Sequence, residues 1–128
     1  MCGISGIYSL HRAAILPDEI RKMLMQIQYR GPDESGIYIG DGIGMGNVRL
    51  SIIDLFQGHQ PMSTPDQDLW IVYNGEIFNC IELREELKKL GYRFRTGSDT
   101  EVLLLLFRHY REKCLDKLNG QFAFAIWD

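Results

Sequence analysis

The sequence predicts an α+β fold built on antiparallel sheets. Three observations carry that prediction. Segments rich in β-branched and aromatic residues occupy both ends of the chain, and helical periodicities fall between them. The regular strand–helix alternation of a parallel sheet is missing. The 128 residues amount to about one domain. With 45% hydrophobic and 24% charged residues, the chain has the balance of a folded globular domain rather than a disordered one. A net charge of −3 gives it no obvious nucleic-acid or anionic-membrane partner. Its longest strongly apolar run, Val102 to Phe107, is far too short to span a bilayer. The N-terminus lacks the basic stretch and apolar core of a secretory signal.

The elements follow in order. Ile4 to Ser9 alternates loosely and reads as a strand. From Pro17, the residues Ile20, Met23, Leu24 and Ile27 recur at three and four, predicting a helix to about Tyr29. It stops before Arg30-Gly31-Pro32-Asp33, a turn sequence. Gly36 to Ile39 and Ile43 to Leu50 read as two strands. The alternating glycines 40, 42, 44 and 46 signal a tight turn or a closely packed neighbouring backbone, not a phosphate loop. Leu69 to Tyr73 is a short strand closed by Asn74-Gly75. Asn79-x-x-Glu82 resembles a capping box opening a helix through Leu90, with Gly91 as its stop. Tyr92 to Arg95 reads as a strand of one or two rungs. Ser98-x-x-Glu101 is a second capping box, opening an apolar helix from Asp99 to about Glu112. Phe122 to Trp127 is a final strand that ends without a polar tail. Its open edge points to a fragment of a longer protein and to possible homo-oligomer formation through that edge.

Three cysteines, an odd number with no Cys-x-x-Cys pair, argue against a disulfide framework or a zinc ribbon. A reducing, cytoplasmic setting is the default expectation. Cys80 and Cys114 read as buried packing residues. His109 and Cys114 have a poor metal-ligand spacing, and His59 lies in a polar loop. Arg108, Arg111 and Lys113 complement a helix C-terminus. No metal or cofactor is expected within these residues.

Cys2 is different. Cysteine is small enough for removal of Met1, which leaves a free α-amine on the residue that carries the thiol. Such groups titrate at about 7.7–8.0 and about 8.5 in unstructured peptides, so the amine can serve the thiol as its general base. The alternative is a small residue at a frayed terminus, although an apolar strand follows directly. Attack on a carbonyl carbon needs donors for the developing oxyanion. Asn74-Gly75 offers a side-chain amide and an unobstructed N–H, with a hairpin turn as the alternative. Arg49 has the planar fork that suits an α-carboxylate, and Asp99 could receive an ammonium group. Each is also explained as an ordinary strand-end or helix-start charge.

Taken together, these segments resemble the class II glutamine amidotransferase domain of the N-terminal nucleophile hydrolases. The carrying residues are Met1-Cys2-Gly3-Ile4-Ser5-Gly6, Arg30-Gly31-Pro32-Asp33, and Arg49-Leu50-Ser51-Ile52 with Asp54. Tyr73-Asn74-Gly75-Glu76-Ile77, Ser98-Asp99-Thr100-Glu101, and Asn119-Gly120 leading into Phe122 to Asp128 complete the set. They run in the family's order from end to end, and are most similar to the asparagine synthetase group.

The resemblance implies an αββα sandwich of two antiparallel sheets flanked by helices, with residues 1–128 as the N-terminal part of the domain. It implies that Cys2 attacks the side-chain amide of L-glutamine, with its own α-amine as base. Asn74 and the Gly75 N–H would form the oxyanion hole. Arg49 would bind the α-carboxylate, and Asp99 with the backbone around Glu76 would hold the α-ammonium. Ammonia would pass to a synthetase domain, absent here, that uses ATP and Mg2+ to amidate a carboxylate. Two other classes remain: a non-catalytic domain that keeps the fold, and a redox sensor built on Cys2.

Overall fold

A computed structural model describes residues 2–50 and 58–128. Met1, Ser51, Ile52 and Asp54 of the motifs lie outside the described residues. β1 (Gly3–Tyr8), β2 (Glu34–Gly40) and β3 (Ile43–Arg49) form one antiparallel sheet in the order β1-β3-β2. β4 (Met62–Ser63), β5 (Trp70–Ile77) and β6 (Gly120–Trp127) form a second, in the order β4-β5-β6. The helices are α1 (Pro17–Ile27), α2 (Cys80–Lys89) and α3 (Asp99–Tyr110). The expected αββα arrangement is present: α1, first sheet, second sheet, then α2 with α3.

Alternation along β3 explains the layering. Ile43 and Met45 face the second sheet and pack with Val72, while Tyr38 of β2 stacks on Trp70 at 4.2 Å between ring centres. Asn47, on the same face, donates to Tyr73 O at 3.3 Å. Gly44, Gly46 and Val48 turn to α1. A Cβ on Gly44 would lie 2.8 Å from Ile15 and Ile20, and one on Gly46 would lie 2.7 Å from Ile20. These glycines therefore admit helix side chains, not the neighbouring backbone that the pattern suggests. Ile20 and Leu24 are buried through this approach, each worth about 1.5–3 kcal/mol. Gly42, with φ +71°, makes the turn between β2 and β3.

On the outer face of the second sheet, Ile71, Tyr73 and Ile77 pack against Leu83 and Leu87 of α2 and Val102, Leu103 and Leu106 of α3. α3 is buried from Asp99 through Leu106, which accounts for its unbroken apolar run. Ser98 caps it, its hydroxyl accepting the Thr100 N–H at 3.0 Å.

The structure corrects several expectations. β5 does not close at Asn74-Gly75 but continues to Ile77, because β6 pairs with it along its whole length. Tyr92 to Arg95 forms no strand. The Arg95 and Thr96 N–H groups donate instead to the buried Glu101 carboxylate, at 2.9 and 2.7 Å. Glu101 thereby leaves its capping box half made. The Asn79 box is not made at all, since the Asn79 side chain bonds Lys117 O and Asn119 N, tying α2 to the start of β6. α3 ends at Tyr110 and passes into a 3₁₀ segment, Arg111–Lys117. Cys114 is buried as expected, whereas Cys80 is only partly so. The short β4 has too few residues to show a period and was not anticipated. Among the described residues, no strand covers the outer edge of β6 or of β1. No described helix is long and apolar enough to cross a membrane.

Candidate active site

Strand parity converges the sequence-selected residues. Gly3 of β1 faces α1, its Cβ position lying 2.9 Å from Ile27. Cys2, one residue earlier, therefore faces the second sheet. Arg49 shares the inner face of β3 with Met45 and Asn47. In β5, Val72 faces the first sheet, so Asn74 and Glu76 do too. All of these residues meet at one end of the sandwich, around a cavity of about 330 Å³. Its wall includes Cys2, Arg49, Asn74, Gly75, Glu76 and Asp99. That is the full set of site residues chosen from the sequence, and the volume falls within the usual range for small-molecule sites.

Each is held by a specific contact. The Cys2 carbonyl accepts from Arg30 Nε at 3.0 Å, and its thiol donates to Leu50 O at 3.8 Å. Arg30 of the Arg-Gly-Pro-Asp turn thus anchors the N-terminus. The next residue, Gly31, lets the turn reach β3, where a Cβ would lie 2.4 Å from the Val48 carbonyl. Arg49 is 4% exposed, and its Nη1 donates to Glu34 Oε2 at 3.2 Å. Glu34 sits opposite it in the ladder and also bonds His59. The buried guanidinium is therefore compensated and oriented.

Asp99 projects from the start of α3 under β5. Its Oδ2 accepts Tyr73 OH at 2.8 Å and the Ile77 N–H at 3.2 Å. Burial, with the Asp99 charge beside it, pushes the Tyr73 phenol well above the usual tyrosine range, so it remains a donor. The loop before Asp99 is fixed by Arg84, whose guanidinium donates to Thr96 O at 2.8 Å and Ser98 O at 2.9 Å.

The backbone of β5 is equally specific. The Tyr73 and Ile77 N–H groups both point away from β6, toward Gln60 and Asp99. The Gly75 N–H lies between them on the same edge and opens toward the cavity. The Glu76 carbonyl faces β6 instead: a Cβ on Gly120 would lie 2.2 Å from it. Of the backbone around Glu76 it is the Gly75 main chain that stays on the cavity edge, beside the exposed Glu76 carboxylate. The geometry also adds Gln60, Tyr73 and Thr100, which the sequence reading left out. A glutamine just before a proline gives no periodic signal, and Tyr73 reads as ordinary core.

One cavity is thus lined by a thiol, a backbone donor, a side-chain amide, a buried cation and two carboxylates. A family model described as a glutamine amidotransferase domain matches residues 1–128. Glutamine-hydrolyzing asparagine synthetase 1 of Bacillus subtilis is 50% identical over all of this chain, which covers 21% of that protein. Asparagine synthetase B of Escherichia coli is 39% identical, again over the whole chain and 23% of its own length. The chain spans about a fifth of the length of these relatives. In fold it is similar to the glutamine phosphoribosylpyrophosphate amidotransferase of B. subtilis. There the TM-score is 0.80 at 22% identity, covering 97% of this chain and 34% of that one. Matched along its whole length, the chain belongs to the glutamine amidotransferase domain family.

Proposed function

We propose that this chain hydrolyses L-glutamine to glutamate and ammonia through a thioester on Cys2. The observation that carries the reading is the shared cavity: the Cys2 thiol and the Gly75 N–H open into one space whose walls also hold Arg49 and Asp99. After removal of Met1, the α-amine of Cys2 takes the thiol proton, and sulfur adds to the side-chain carbonyl carbon. The Asn74 amide and the Gly75 N–H stabilise the resulting oxyanion. The amine returns its proton to nitrogen as the C–N bond breaks, ammonia leaves, and water cleaves the thioester to glutamate. Arg49 receives the α-carboxylate, while Asp99 and Glu76 receive the α-ammonium. These opposite charges in the cavity wall select a free amino acid over a peptide-bound glutamine.

The names of the relatives, glutamine-hydrolyzing asparagine synthetases, support a longer protein that makes asparagine with this ammonia; a synthetase domain that uses ATP and Mg2+ to amidate aspartate in the cytoplasm is our reading of that protein. The acceptor is chosen outside these 128 residues, so a synthetase-like protein serving another carboxylate is the second reading. Intact mass before and after a glutamine-like diazoketone tests the glutaminase step. The expected result is loss of Met1 and one adduct mapped to Cys2, with Cys80 and Cys114 spared. A chain free of Met1 that takes no adduct and releases no glutamate would refute it.

A further inference from the structure

β4 pairs with β5 in the register Met62↔Ile71 and Ser63↔Trp70. Continued by two residues, that ladder would set the Gln60 main chain opposite Tyr73. Two residues further, it would set Gly58 opposite Gly75 and seal the Gly75 N–H with a carbonyl. The chain does neither. The Gln60 main chain leaves the sheet and seats on β2, where a Cβ on Gly36 would lie 2.0 Å from Gln60 O. Its side chain takes the vacated ladder position: Oε1 accepts the Tyr73 N–H at 2.6 Å, and Nε2 donates to Thr100 Oγ1 at 3.4 Å. Gln60 is 7% exposed, and Thr100 and Tyr73 are buried around it. Asp99 does the same for the Ile77 N–H at the other end. Among the described residues, neither a β4 residue nor a capping side chain stands against the Gly75 N–H between them.

We propose that Gln60 is a positioning residue for the oxyanion site. Its amide replaces its own main-chain carbonyl opposite Tyr73, ending the ladder before Gly75 and fixing the donor edge of β5 beside Cys2. Through the second bond, to Thr100, the same amide locks that edge to the start of α3, so that the oxyanion donor and the Asp99 carboxylate keep a constant separation. Substrate would meet one rigid frame from the reacting carbon to the ammonium. The inference rests on the reading of Gly75 as an oxyanion donor, and adds the residue that makes the donor available.

The test compares Gln60→Met, which removes both hydrogen bonds at similar length, with Gln60→Glu. The carboxylate keeps an acceptor for the Tyr73 N–H and lets the Thr100 hydroxyl donate in return. Three readouts are taken on each folded chain: amide hydrogen exchange at Tyr73, kcat and KM for glutamine hydrolysis, and the rate of Cys2 alkylation by iodoacetamide. Alkylation needs a competent thiol but no oxyanion donor.

For Gln60→Met, the expectation is Tyr73 exchange at least about tenfold faster and kcat down about 10- to 100-fold, short of the full loss of an oxyanion donor. KM should stay within about threefold, since Asp99 keeps its own bonds to Tyr73 OH and the Ile77 N–H, and alkylation within about twofold, since it does not draw on the oxyanion donor. Gln60→Glu should keep Tyr73 protected and recover at least about fivefold of the lost kcat, because the acceptor is retained. Unchanged Tyr73 exchange in Gln60→Met would overturn the capping role, and unchanged kcat would overturn the positioning role. Loss of kcat in proportion to alkylation in both variants would show a structural residue only, and so overturn the proposal. A wild-type chain free of Met1 that neither turns over glutamine nor takes the diazoketone would defeat the glutaminase reading itself. That outcome is distinct from an active wild type with an active Gln60→Met.

Discussion

Gly75→Ala is the sharpest perturbation of the site. A Cβ on Gly75 would lie 2.2 Å from Gln121 O and 2.6 Å from Phe122 Cα, while ordinary contact begins at 3.4 Å. Both obstacles are main-chain atoms of β6, so no side-chain rotation relieves them. The strands must part by about 1 Å, a large fraction of the slack in a ladder spaced at 4.7–4.9 Å. Overpacking of this kind costs about 1–3 kcal/mol, which for a domain of this size lowers Tm by roughly 3–6 °C per kcal/mol. Displacing a catalytic donor by about 1 Å costs about 100-fold in rate. Gly91→Ala is the control. Gly91 has φ +93° and nothing within 4 Å of its Cβ position, so the alanine is strained by backbone conformation alone, at about 1–2 kcal/mol. The assay is glutamate release by both variants, with thermal melts alongside. The expected pattern is similar destabilisation in the two, with kcat falling about 100-fold in Gly75→Ala only. Wild-type kcat in Gly75→Ala would refute the oxyanion assignment. An equal fall in both would attribute the loss to stability.

Four further outcomes are expected. Asp99→Asn keeps acceptors for Tyr73 OH and the Ile77 N–H but loses the charge, so the fold persists while KM for glutamine rises by about 10- to 100-fold. The same change brings the Tyr73 phenol down toward its usual range, readable by ultraviolet titration, because the Asp99 charge is one of the causes of its elevation. A chain that keeps a residue before Cys2 has an amide where the general base should be. It should release no glutamate while still taking iodoacetamide at Cys2. Asp66→Asn tests acid stability. The Asp66 carboxyl is held well below its ordinary 3.8, first by the Arg108 hydrogen bond and then by Thr64. A depressed folded-state pKa stabilises fully above 3.8 and progressively less below it. The urea midpoints of wild type and Asp66→Asn should therefore differ most near neutrality and converge as pH falls below that value.

The sequence already contained most of the framework, because buried strands and helix faces leave periodic traces. Ile20 and Leu24 announce α1, and the apolar run at Val102 to Leu106 announces α3. What stayed hidden depends on side chains replacing main-chain partners. Glu101 satisfies the N–H groups of Arg95 and Thr96, so a strand-like stretch forms no strand. Asn79 leaves its own helix to bind the start of β6, so a cap-like motif caps nothing. Asn74-Gly75 has the chemistry of a turn yet lies inside a strand, because eight consecutive register pairs with β6 outweigh local turn preference. The charged and nucleophilic site residues were legible by chemical type. Gln60 was not, since its work is done by one amide against a strand edge.

Strand parity explains why residues so far apart in sequence line one cavity. Cys2, Arg49 and Asn74 lie on three strands or their ends, and each faces inward only because the alternation has a period of two. A slip of one residue in β1 would turn Cys2 toward α1 and put the Gly3 position in its stead. The same slip in β3 would press Met45 and Asn47 against α1, where only the hydrogens of Gly44 and Gly46 now fit. The glycines facing α1 are therefore the register marks of the first sheet. They oppose the misregistered sheet sterically, and in doing so hold Cys2 and the buried guanidinium on the face that meets β5.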